Sequence, residues 1–158
     1  MPVLARLESY LQEMKVPFTH SVHALAFTAQ QVAEAEHISG RVVAKTVVLV
    51  VDGAFALAIV PADCVVDLNE LRHAMGASHL RLATEREIQD LFPDCELGAM
   101  PPFGNLYGLP VYVESSLAQQ RTIAFNAGTH RDMVHMNFGD FRRAVDLVIL
   151  PLGRRIAT

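Results

Sequence analysis

Residues 42–62 constrain the fold more than any other stretch of the chain. Two apolar runs, "VVAKTVVLVV" and "AFALAIVPA", are joined by Asp52-Gly53. Asp-Gly between apolar runs is the strongest short-range hairpin signal, because a type I′ turn needs residues that tolerate positive φ. Strands that are apolar on both faces must be covered on both faces, so other segments have to supply layers above and below. One residue breaks the pattern. Nine of the ten side chains in the first run are apolar or small, and the tenth is Lys45, whose ammonium is costly to desolvate.

With period-two alternation Lys45 shares a face with Val43, Val47, Leu49 and Val51, while Val42, Ala44, Thr46, Val48 and Val50 share the other. Neither face is an ordinary solvent face. Lys45 is therefore either an edge-strand gatekeeper that snorkels its charge out to water, or a point charge offered to an anionic ligand at a cleft. The pattern alone leaves both readings open.

The covering layers are legible from caps and periodicity. Residues 3–15 place Val3, Leu4, Leu7, Tyr10, Leu11 and Met14 at helical spacing, and Pro17 ends that helix ahead of the extended "PFTHSVH". Thr28 with Gln31 forms a capping box, and Gly40 reads as the stop of the helix it opens. Asp67, Glu70 and Gly76 repeat the grammar, as do Thr84, Glu87 and Pro93, with a short "SHLRLA" strand between them. After the loop "GAMPPFGNLYGLP", strands are expected at "VYVE", "RTIAFNAG", "MVHM" and "DLVIL", with "FGDFRRAV" helical. Helices and strands mixed in this way, without regular alternation, predict an α+β domain: a mixed, largely antiparallel sheet or a partly closed barrel, flanked by helices. A length of 158 residues suits a single domain over 1–158.

Composition removes several function classes. No apolar run approaches the roughly 20 residues needed to span a bilayer, and the N-terminus lacks a basic region followed by an apolar stretch, so a cytoplasmic protein is expected. Cys64 and Cys95 belong to no CxxC or CxxH pattern, and His20 and His23 lack an acidic partner at ligand spacing, so no metal is expected. Ser115 and Ser116 lie outside any GxSxG elbow, and P-loop and GxGxxG sequences are absent. A net charge of −4 argues against a broad nucleic-acid-binding surface but permits gripping one end of a nucleic acid with local charge. The pairs Arg142, Arg143 and Arg154, Arg155 read as solvated charges that could also meet a phosphate backbone.

Two further segments can carry chemistry. "GAMPPFGNLYG" sets adjacent prolines between glycines, a stiff loop able to aim backbone N–H groups at a ligand or a water, or else a tight crossing between sheet elements. "FNAGTH" runs an apolar strand into Asn126, Gly128 and His130, where the histidine is either a donor or acid–base group or a structural residue.

Taken in order, "FTAQQVA…GRVVAKTVVLVVDG", "PPFG" and "FNAGTH" resemble the YbaK family of aminoacyl-tRNA deacylases, whose fold also occurs as the editing domain of bacterial prolyl-tRNA synthetases. The resemblance covers nearly the whole chain. It implies a trans-acting deacylase that hydrolyses the ester of a mischarged tRNA, often tRNA-Pro, with no cofactor. The tRNA acceptor end is the implied partner and an aminoacyl-tRNA synthetase a further candidate. The family lysine falls on Lys45, where it would contact the phosphate or ribose of the terminal adenosine. The GxxxP loop falls on Gly98 and Pro102, where it would shape the pocket and place the attacking water. The GxH motif falls on Gly128 and His130, the histidine helping to recognise the aminoacyl group. Phe27, Thr28, Thr46, Met100, Pro101, Phe103, Gly104, Asn126 and Thr129 are the expected substrate-binding residues around them. Some alanine-specific members carry asparagine after the lysine; here Thr46 stands there, so the amino acid removed stays open.

An activated aminoacyl ester needs only a positioned water and fixed donors for the oxyanion, which suits a sequence without a triad or carboxylate pair. Arg41, Lys45 and Arg131 would supply local positive charge. Two other functions compete: a non-catalytic module that binds a nucleotide or tRNA end in the same cleft, and a hydrolase of small aminoacyl esters.

Overall fold

The Asp52-Gly53 turn forms as the sequence requires. In a computed structural model that describes residues 3–155, Asp52 and Gly53 adopt φ of 48° and 84°. The elements in chain order are α1 (Val3–Glu13), β1 (Thr19–Val22), α2 (Ala29–Ala35), β2 (Ala44–Val51), β3 (Ala54–Pro61), β4 (Cys64–Val66), α3 (Leu68–Ala74) and β5 (Leu80–Leu82). There follow α4 (Glu85–Leu91), β6 (Val111–Glu114), β7 (Thr122–Asn126), β8 (Asp132–Asn137), α5 (Phe138–Ala144), β9 (Leu147–Leu150) and β10 (Gly153–Arg155). Residues 1, 2 and 156–158 of the expected domain, and the side chains of Val3 and Arg155, lie outside the described ones.

β2 and β3 pair antiparallel in unbroken register from Ala44↔Pro61 to Val51↔Ala54. They centre a five-stranded sheet of order β5-β2-β3-β6-β9, in which the β3–β6 and β6–β9 pairings are parallel. A second, antiparallel sheet has the order β1-β8-β7, and β4 pairs with β10. The α+β expectation holds, while the barrel alternative does not: the two larger sheets meet through a bridge at Val43↔Ala124 and do not close on each other.

Each apolar face of the hairpin finds a layer. Val48, Leu57 and Ile59 face Phe125 and Val134 of the second sheet, with α1 and α5 adding Leu7, Leu11 and Phe141 to the same core. Leu49, Ala58 and Val60 face Leu71 of α3 and Leu152. Val32 and Ala33 of α2 pack on Val43, Ala124 and Met133. Burying these side chains contributes about 1.5–3 kcal/mol each for the larger ones.

The helix starts follow their caps: Thr28 accepts from Gln31 N and Thr84 from Glu87 N, each with its reciprocal bond, and Asp67 accepts from Asn69 N and Glu70 N. Gly76, at φ 65°, follows α3 as expected. Gly40 does not end its helix. α2 stops at Glu36, and His37 takes the left-handed conformation at φ 56°. Glu36 is held there, accepting from Ser21 Oγ and lying 3.3 Å from His135 Nε2, so a tertiary tether and not a glycine sets the boundary.

Phe103 is fully buried among Tyr10, Phe125 and Phe141, with ring centroids 6.3, 5.5 and 5.5 Å away. Phe103→Ala should lower stability by about 3–5 kcal/mol, read as a drop in the urea midpoint at unchanged slope.

Candidate active site

The start of β2, the entry to α2, the loop after Gly98 and the end of β7 enclose a cleft of about 380 Å³. It is built from backbone parity. Lys45 and Thr46 are neighbours in β2, so their side chains leave on opposite faces. Lys45 Nζ donates to the carbonyl of Cys64 at 2.7 Å. Burial pushes the Lys45 ammonium below the ordinary lysine range, against the opposing pull of Cys64 and Asp63. Arg41 lies 3.9 Å from the same Asp63 carboxylate.

Thr46 occupies an open edge. Ala83 N donates to Val48 O and Asp52 N to His79 O, so the even-numbered residues of β2 direct their main-chain groups towards β5. Ala83 is followed by the α4 cap, and β5 pairs only with Leu49, Val50 and Val51. The alternation therefore directs the Thr46 amide towards the cleft beyond the end of β5. Thr46 Oγ1 and Asn126 Oδ1, both of cleft-lining residues, are buried without a partner among the described residues.

The opposite wall is two loops laced together. Gly128 N donates to Ala99 O at 2.8 Å and Glu96 N to Gly128 O at 2.7 Å. His130 N donates to Glu96 Oε1 at 2.8 Å, and His130 Nε2 lies 2.8 Å from Leu97 O. A carbonyl only accepts, so Nε2 carries the hydrogen, and in the neutral ring Nδ1 is the acceptor. Gly98 takes φ 86°, and a side chain there would come within 3.5 Å of His130 Cε1. Phe27, exposed at the mouth, lies 4.9 Å from the His130 ring, centroid to centroid.

The structure thus brings Phe27, Thr28, Lys45, Thr46, Gly98, Met100 and Asn126 onto one cleft. His130 is buried behind the Gly98 loop, and Gly128 holds that loop at φ 96°. Pro101 and Pro102 are buried where the loop leaves the cleft for the core. Phe103 packs in that core, and Gly104 sits where a Cβ would lie 2.4 Å from Leu109 O. Thr129 donates to Asp132 Oδ2 and accepts from Arg131 N and Asp132 N, which shapes the turn into β8. Ala29, Gln30, Val43, Ala44 and Ala62 also line the cleft. They carry no distinctive sequence signal. Neither does the Cys64 carbonyl or the Glu96 tie.

Among the described residues, the polar clusters of His20 with His23 and of Ser21 with Glu36 and His135 lack a catalytic arrangement. His20 Nε2 pairs with Asp132 at 2.7 Å while His23 Nδ1 meets Ala24 O, so the HxxH pair has separate partners. Ser21, Glu36 and His135 meet beside a larger, mostly apolar groove of about 620 Å³. Carboxylate and hydroxyl share the same imidazole nitrogen there, whereas a triad needs the carboxylate on the opposite one. Cys95 is also quiet, its thiol pushed up to about 12 by burial.

Fold and cleft together define an α+β domain with a cleft of about 380 Å³ lined by a half-buried lysine. The model of the aminoacyl-tRNA editing domain matches residues 23–144, so the chain belongs to that family and its class of activity is aminoacyl-tRNA deacylation. No curated protein matches the chain significantly. Among solved structures, one proposed as a trans-editing enzyme for prolyl tRNA synthetase is 22% identical over 98% of each chain, with a TM-score of 0.83. A hypothetical protein, 16% identical over 94% of this chain and 99% of its own, has a TM-score of 0.85. A protein from Marinobacter aquaeolei described in connection with signal transduction is 19% identical, covering 97% of this chain but 31% of its own, with a TM-score of 0.74. At these identities the three neighbours establish the shared fold.

The depressed pKa of Lys45 has a thermodynamic consequence. Its native value lies below the unfolded one, so between the two the unfolded chain binds more protons and stability rises with pH. The stability of the wild type relative to Lys45→Met should therefore improve as pH climbs through the native pKa towards about 10.4. Urea titrations at pH 7, 9 and 10.5 measure this, and a constant difference would contradict it.

Proposed function

We propose that this protein is a trans-acting aminoacyl-tRNA deacylase that hydrolyses the ester of a mischarged tRNA, with tRNA-Pro as the first tRNA to test. The observation that carries the reading is the Lys45 ammonium, half-buried at a cleft, with one of its three N–H donors given to Cys64 O. A cation so placed attracts a phosphate or ribose oxygen more strongly than a surface lysine does, because water screens it less. The prolyl trans-editing proposal for a structure of the same fold motivates the choice of tRNA.

In this reading Lys45 anchors the terminal adenosine and the aminoacyl group enters between Thr46, Met100 and Asn126. The Gly98–Pro102 loop forms the wall along which the attacking water sits, and His130 holds that loop through Leu97 O. Water adds to the ester carbonyl carbon, and an amide such as that of Thr46 stabilises the oxyanion. The tetrahedral intermediate then expels the ribose oxygen, which takes up a proton. The products are the free amino acid and a tRNA with its terminal hydroxyl restored.

A panel of mischarged tRNAs, with Lys45→Ala alongside, tests the reading. The wild type should deacylate at least one member well above the buffer rate. Lys45→Ala, still folded by circular dichroism, should lose roughly 100-fold or more, the scale seen when a fixed charge-stabilising donor is removed. Binding without turnover would instead identify a tRNA-end binding module. Equal turnover of the corresponding aminoacyl-adenosine would identify a small-ester hydrolase.

A further inference from the structure

We propose that Glu96 is a positioning residue for the deacylation ascribed above, on which this inference rests: its carboxylate fixes the His130 main chain and thereby sets the Gly98 wall of the cleft. Glu96 makes three of the hydrogen bonds at the loop junction. Its N–H donates to Gly128 O at 2.7 Å, its carbonyl accepts from Ala99 N at 3.0 Å, and its Oε1 accepts from His130 N at 2.8 Å. The His130 ring returns to the next residue, its Nε2 being 2.8 Å from Leu97 O. One side chain thus ties the His130 backbone to the first loop while the His130 side chain ties itself to the carbonyl one residue on.

The arrangement closes a small cycle around Gly98. That glycine lines the cleft at φ 86°, with no Cβ to restrict it, so its own conformation is soft and the ties on either side determine where its amide points. The N-terminal side is held by Leu97 O and the C-terminal side by Ala99 O. Both depend on where residues 128–130 sit. His130 is buried, and without the Glu96 carboxylate its amide loses the fixed acceptor that ties it to the first loop. With that tie gone the 128–130 turn is free to shift, carrying the Gly98 wall with it. Glu96 itself does not line the cleft and is exposed to solvent on its outer side. Its effect on the reaction is therefore transmitted through geometry, and displacement of a reacting group by about 1 Å can cost on the order of 100-fold.

Glutamine separates the hydrogen bond from the charge, because its Oε1 accepts from His130 N in the same place. Steady-state deacylation is measured for wild type, Glu96→Ala and Glu96→Gln, together with amide exchange at His130 and thermal melts. Glu96→Ala should lower kcat about tenfold with KM changed less than twofold, and Glu96→Gln should stay within about threefold of wild type, since only the alanine variant releases the positioning contact. The His130 amide should exchange faster in Glu96→Ala while the global melt is nearly unchanged. Activity of Glu96→Ala within twofold of wild type overturns the proposal, and so does a Glu96→Gln variant as impaired as the alanine one. A wild type inactive on every tRNA would sink the deacylase reading instead. Exchange at His130 then still decides whether Glu96 sets the loop, with unaltered protection overturning it.

Discussion

The register of β2 against β3 is the constraint on which the remaining structure hangs. Side chains alternate with period two, so a slip of one residue would send Val48 to the α3 side and Leu49 into the main core. It would also swap the faces on which Lys45 and Thr46, both cleft-lining, project. The Asp52–Gly53 turn prevents the slip, because its two positive φ values fix which residues are opposed at the tip, and the pairing runs back from there to Ala44↔Pro61. The chemistry-bearing end lies at the opposite end of the ladder from the turn that sets it. A local rule at residues 52–53 thereby determines where a charge sits some 20 Å away, at about 3.3 Å per residue.

The same ladder also explains why the cleft is open there. β5 is short and covers β2 at Leu49–Val51, and the chain then turns into α4 at the Thr84 cap. An unpaired strand edge is normally a liability that proteins blunt or cover. Here it borders a cavity roofed by the Gly98 loop and α2, so the exposed main-chain groups face a bounded site and are not offered to another sheet. The walls are themselves held by polar ties distant from the cleft. Glu36 fixes the far end of α2 on β1 and β8. Arg6 from α1 donates to Asp94 and to Leu106 O, bracketing the loop from both sides. Tyr107 donates to Asp94 at 2.8 Å, which joins the two ends of that loop.

What the sequence disclosed and what it withheld follow from the range of the interactions involved. Caps at Thr28, Asp67 and Thr84 are satisfied within three residues, so their signals survive in a linear reading. The hairpin is equally local. β4 and β10 are three residues each, and they exist because Cys64–Val66 meets Gly153–Arg155 across most of the chain. Nothing in either triplet announces that partner. Gly40 looked like a helix stop, yet Glu36 reaches Ser21 and His135 and ends the helix earlier. The family resemblance also implied Phe103 and Gly104 as substrate-binding residues beside the motif residues. Adjacency in sequence does not survive two prolines, and both residues lie in the core. Of the candidate cleft, the lining residues Lys45, Gly98 and Asn126, and His130 behind the loop, stood out by residue type. Roles played by backbone, such as the Cys64 carbonyl or the open Thr46 edge, carry no letter code. Glu96 was silent for a related reason: its carboxylate meets a main-chain amide, and any residue at position 130 except proline would present one.

A chain of net charge −4 does not attract a polyanion from a distance, so its affinity for a tRNA end has to arise at contact. Many surface cations would act through counterion release along the backbone, with affinity falling steeply as salt rises. The cleft offers the opposite arrangement. One ammonium is partly stripped of water and fixed by a carbonyl, and under the proposed function a single phosphate or ribose contact there would be stronger and less screened than at the surface. The unfavourable shift of the Lys45 pKa and the favourable interaction with an anion have the same cause. Burial destabilises the free ammonium, and an arriving negative or strongly polar group relieves that destabilisation. Under the proposed deacylase function, the cost that the isolated lysine imposes on an apolar strand would be recovered in part when a ligand binds.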